Sequence, residues 1–113
     1  MKANIADALT NVRTRPYTHN AALTAGDVIV VNGSVMIAIN DTAADVENVF
    51  AYRCRAWFPK KANLALGVNT VCHLDVANSE ITDDPNGTTK TGTCDEFAAA
   101  ADTEVLVMVG ENK

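Results

Sequence analysis

Few residues in this chain are of types and spacings that could do chemistry. His73 and Asp75 alternate within the apolar run 71–76, so a strand would set both on one face, the least that a hydrolytic or metal-dependent centre needs. Neither His73 nor His19 has a second ligand at a metal-binding interval, and Cys72 would point to the opposite face from His73. A small hydrolase or metal enzyme centred on His73 and Asp75 is therefore kept as the alternative reading. Gly87 and Gly92 are separated like the glycines of a phosphate-cradling loop, but Thr93 stands where that loop requires Lys, and no strand-to-helix context surrounds it. Asp83-Asp84 and Asp95-Glu96 are adjacent carboxylates in turn-forming sequence, where such charge is usually solvated. Cys54, Cys72 and Cys94 form an odd, widely spaced set with no CxxC pair, and they read as buried free thiols. No catalytic residue, cofactor or metal is assigned.

The basic residues are more informative. Arg53 and Arg55 would project from one face of a strand, Lys60-Lys61 follow, and no acid interrupts the stretch from Val49 to Leu74. Such a surface suits an acidic patch, either on another protein or on the acidic half of a neighbouring copy. The net charge of −5 divides unevenly: residues 1–61 hold seven Lys/Arg against five Asp/Glu, and residues 62–113 hold two against nine. A net acidic chain repels a polyanion, so nucleic acid is not an expected partner. No window reaches the length of a membrane span and no secretory signal opens the chain, so no membrane partner is expected and the protein is read as made in the cytosol.

The elements that must position these residues are short strands. At 113 residues, 48% apolar but only 5% aromatic, the chain can bury one thin core in which β-branched residues supply much of the packing. Residues 1–16 are expected to form an N-terminal arm: Ile5, Leu9 and Val12 fall at i, i+4 and i+7, the face of a short helix beginning near Asn4, and Arg13-Thr14-Arg15-Pro16 breaks it. A helix so short needs something to pack on, so the arm is either docked or extended. Asn32-Gly33 between two apolar runs predicts a hairpin, and its non-alternating arms predict cover on both faces by the domain itself or by a neighbour, a hint of an oligomer. Residues 47–58 alternate, with Val49, Ala51, Arg53, Arg55 and Trp57 on one side and Phe50, Tyr52, Cys54, Ala56 and Phe58 on the other, until Pro59 stops the strand. The Leu64-Ala65-Leu66-Gly67 lead into a β run echoes Leu23-Thr24-Ala25-Gly26 and predicts a second hairpin turning at Asn78-Ser79. Residues 83–93 read as a surface loop running into a strand, 97–102 as a compact connection, and 104–109 as the last strand. The fold class is all-β: a small barrel or sandwich of short antiparallel strands, with a β-rich domain over 17–113 behind the arm.

Three pieces in order carry a resemblance: Leu23-Thr24-Ala25-Gly26-Asp27 opening the first hairpin, the second glycine-led hairpin, and the Ala98-to-Ala101 turn before Asp102-Thr103-Glu104-Val105-Leu106-Val107. With the basic aromatic strand between them, residues 17–109 resemble the bacteriophage capsid cement (head decoration) family, although Val68 follows the second glycine where an acidic residue is expected. The resemblance implies a non-catalytic virion protein on the outer surface of the capsid, made in the host cytoplasm. It implies binding to the major capsid protein and clamping of neighbouring shell subunits as a symmetric oligomer, a homotrimer with a dimer as the alternative. A ligand that binds only the assembled lattice stabilises it by mass action, and linked contacts slow its release. The residues expected at the capsid or between subunits are Ile5, Leu9 and Val12 with Arg13 and Arg15 from the arm, and Arg53, Arg55, Lys60 and Lys61 from the basic strand.

Overall fold

Turn chemistry sets the limits of the strands. Asn32 (φ 50°) and Gly33 (φ 79°) both take the left-handed conformation that a two-residue hairpin turn requires, and Ser79 (φ 54°) does the same in the second hairpin. The computed structural model describes residues 1–7 and 11–110. Among them are nine strands and no helix: β1 (Asn4–Ile5), β2 (Arg13–Thr18), β3 (Val28–Val31), β4 (Ser34–Ala38), β5 (Glu47–Pro59), β6 (Val71–Asp75), β7 (Glu80–Thr82), β8 (Thr89–Cys94) and β9 (Glu104–Val109). The sheet runs β3-β4-β5-β9-β8-β6-β7, every pairing antiparallel, with β1 and β2 also paired to β5. It curls into a half-barrel. Just past β5, the Lys61 amide donates to the Ile81 carbonyl of β7 at 2.9 Å, so the far edge of the sheet returns to the end of its longest strand.

The inside of the curl holds the main core, with Phe58, Ile37, Leu66, Leu74, Ile81, Val105 and Val107 nearly inaccessible and all three cysteines among them. A second cluster lies on the opposite face of the β3–β4 end, where Ile29, Met36, Ala38 and Phe50 are covered by Tyr17, Leu23, Val31 and Tyr52. Tyr17 meets Phe50 edge-on at 6.0 Å between ring centroids. β4 is thus buried on both faces by its own chain, Val35 and Ile37 entering one cluster and Met36 and Ala38 the other. β4 needs no neighbour to cover it, whereas on β3 Val30 stays exposed.

β5 passes between the two clusters, and the simple alternation expected for it breaks midway. One step on β2, from Arg13 to Thr14, spans two on β5, from Arg53 to Ala51, which leaves Tyr52 as the extra residue of a β-bulge. Ala51 faces the main core before the bulge; Cys54, Ala56 and Phe58 face it afterwards. Arg53, Arg55 and Trp57 still share the outer face, but Ala51 does not belong with them.

The helix expected does not begin at Asn4. Asn4 and Ile5 pair as a strand with Trp57 and Ala56, the Ala3 amide donates to the Gly26 carbonyl at 2.9 Å, and Lys2 bridges to Asp27. A thirteen-residue β5 offers backbone groups along a whole edge, and ladder bonds to them outweigh an isolated helical turn. Leu9 lies outside the described residues, and β2 spans Arg13–Thr18. The segment 83–93 is also more ordered than its composition suggests: β8 begins at Thr89, and Thr91 and Gly92 are buried.

Candidate functional site

β2 and β5 carry all four arginines. Arg13 and Arg53 are register partners across the two strands, and both are exposed, as is Arg15. The Arg15 guanidinium lies 4.2 Å from the centroid of the Tyr52 ring, a cation–π contact on the face that Tyr52 shares with Phe50 and that the bulge also gives to Arg53. Nothing in the spacing of Arg15 and Tyr52, far apart in sequence, announced this contact.

Arg55 is differently placed. Its Nε donates to the Asp7 carboxylate at 2.8 Å, its backbone amide donates to the same carboxylate at 2.9 Å, and its Nη1 lies 3.5 Å from Asp95. The Arg55 amide holds the Asp7 carboxyl below its usual range, with the guanidinium adding to the effect against the cost of burial. Asp7 in turn raises the already high pKa of Arg55. Arg55 therefore ties residues 1–7 and the connection after β8 to the sheet, a role that required knowing the fold. Lys60 departs furthest from expectation. It is buried, and its ammonium donates to the carbonyls of Lys61 (2.9 Å), Leu64 and Ala100 (3.4 Å), lacing together the loops that close one end of the barrel. Lys61 is exposed beside it. Ile5 and Val12 pack against the chain's own main core.

His73 and Asp75 do not form a centre. Asp75 accepts from the Asn78 side-chain amide at 2.8 Å and from the Asn78 backbone amide at 3.2 Å, bonds that hold its carboxyl below the usual range and fix the β6–β7 turn. Among the described residues no group of three or more His, Cys, Asp or Glu could hold a metal ion. All three thiols are buried; burial pushes Cys54 and Cys72 up to about 12 and raises Cys94 as well.

Several shallow clefts mark the surface. β5 exchanges β4 for β9 as its neighbour at the bulge, and a cleft of about 300 Å³ opens there, lined by Ser34, Val35, Tyr52, Arg53 and Gly110. A second, of about 370 Å³, separates β3 from the β6–β7 turn and is lined mainly by Met1, Val28, Val30, Leu74 and Val76.

A family model of phage cement proteins matches residues 10–109. The chain belongs to the phage cement protein family. No curated protein and no solved structure gives a significant match. Cement proteins are structural and not enzymatic, so the chain has a structural role on the phage capsid, and its partner is the capsid. For a cement protein, a thin core, small clefts and an outward row of arginines describe a body shaped for contact.

Proposed function

We propose that this protein binds the outer surface of the head and clamps neighbouring major capsid subunits, acting as a homotrimer about a local axis. The observation that carries the reading is the row of Arg13, Arg15 and Arg53 on the exposed face of β2 and β5, in a chain whose family binds capsids. A cationic row steers the protein to acidic groups, either on the shell or on the acidic half of a neighbouring copy. Several copies held by one axis engage several shell subunits together, which turns weak single contacts into slow release. Lys61 extends the cationic surface; Lys60 is spent on carbonyls and Arg55 on Asp7 and Asp95, so neither belongs to it. Removing residues 1–16 is no clean test, because Ala3 is buried and β1 completes an edge of β5.

The test is occupancy of purified heads by an Arg13→Ala/Arg53→Ala variant. Its half-saturating concentration is expected to rise about tenfold at physiological salt, with a smaller difference at high salt. Undiminished occupancy at physiological salt would refute the assignment of the arginine row.

A further inference from the structure

The most exposed large apolar side chain described is Phe97, at 63% of its full area, and the backbone on its C-terminal side is well anchored. Its neighbour Ala98 is buried and exchanges both backbone hydrogen bonds with Leu66 at 2.9 Å, while Lys60 grips the carbonyls of Leu64 and Ala100 on the same two loops. Asp102 accepts from the Ala99 amide at 2.9 Å and closes the turn behind it. An exposed aromatic ring on so braced a loop leaves only its side-chain rotamers to be ordered when a partner arrives, which suits an interface anchor. Its flanking sequence is acidic: from Thr91 to Gly110 the chain carries Asp95, Glu96, Asp102 and Glu104 and no Lys or Arg, and Asp95 faces Arg55 while Glu96, beside Phe97, is exposed.

The complement of this knob is on the same chain. The cleft of about 300 Å³ at the bulge has an aromatic wall, Tyr52, and a cationic rim formed by Arg53 and, over the Tyr52 ring, Arg15. Knob and cleft stand at opposite ends of β9: the 95–103 connection leads into Glu104, and Gly110, which follows Val109, lines the cleft. Six residues of strand separate them by about 20 Å. A copy cannot fill its own cleft, but the next copy can, and a head-to-tail contact repeated about an axis closes into a ring.

We propose that Phe97 of one copy seats against Tyr52 in the cleft of the next, with Glu96 meeting Arg15. This rests on the reading of the protein as a symmetric oligomer on the head, and it identifies the partner of the Arg15 end of the cationic row as a second copy of this chain. The contact is heterologous, so each copy gives one knob and receives one.

Ala100→Cys and Ser34→Cys combined in the full chain place new thiols beside the knob and on the cleft rim and leave Phe97 itself in place, while the three native thiols stay buried. Added to undecorated heads and mildly oxidised, this variant is expected to form cross-links between copies that either single variant lacks. Normal occupancy without cross-links would overturn the contact and leave Phe97 facing the shell. Failure of the unaltered protein to bind heads would instead overturn the capsid reading above. A charge exchange gives a second, independent measurement. Glu96→Lys and Arg15→Glu are each expected to raise the half-saturating concentration on heads about tenfold, and the two together to restore most of it. Additive losses with no restoration count against the pairing.

Discussion

At the residue scale, two adjacent lysines of identical type do opposite things. Lys60 follows the last residue of β5 and its side chain turns inward among carbonyls; Lys61 turns out. A Lys60→Met variant keeps the length of the side chain and removes the donors, leaving the carbonyls of Lys61, Leu64 and Ala100 with a partner lost. Destabilisation of roughly 1–3 kcal/mol is expected by chemical denaturation, against a change within about 0.5 kcal/mol for Lys61→Ala. Equal effects of the two would show that the ammonium does not hold the loops. Sequence could not separate the pair, since both follow Pro59 in a stretch free of acids, and the deciding partners are backbone groups with no residue signature. The same holds for Arg55, whose carboxylate partners lie 48 and 40 positions away. Arg13, Arg15 and Arg53 were legible as basic residues and stand exposed, but their gathering on neighbouring strands follows from the pairing of β2 with β5.

At the element scale, local chemistry was readable and long-range fit was not. Asn32-Gly33, the strand after Glu47, its stop at Pro59 and the strand at Glu104–Val109 each follow from residues within a few positions, and each is present, although the alternation of β5 holds only on either side of its bulge. β1 was hidden because two residues paired to a distant strand leave no periodicity, and the spacing of Ile5, Leu9 and Val12 imitated a helix instead. β8 was hidden because Thr89 to Thr93 is made of turn formers. What makes it a strand is the closeness of β9: a Cβ on Gly92 would lie 1.9 Å from the Met108 carbonyl oxygen. Gly92→Ala must therefore push the two strands apart, with an expected loss of roughly 3 kcal/mol or failure to fold. Gly33→Ala, whose Cβ meets nothing within 4 Å, suffers only from its positive φ and is expected to lose about 1 kcal/mol. Thermal unfolding of the two variants side by side distinguishes a clash from a backbone preference; similar melting temperatures would remove the close approach as the reason for the glycine.

At the scale of the whole molecule, Cys54, Cys72 and Cys94 come from three different strands and meet in one cluster. Their thiols, raised by burial, react only when that cluster opens. Titration with a thiol reagent near neutral pH is expected to detect none of the three in the native protein and all three in denaturant, in a single cooperative step. A thiol that reacts early would mark a part of the half-barrel that opens separately. The body so held together still has an edge. β2 pairs with β5 on one side and with no strand among the described residues on the other, and this edge carries Arg13, Arg15 and Pro16. Proline withholds an amide and the arginines repel their own kind, so two such edges cannot zip into a continuous sheet. On the proposed reading, with copies gathered on one head, this short strand lets neighbours stand close without polymerising.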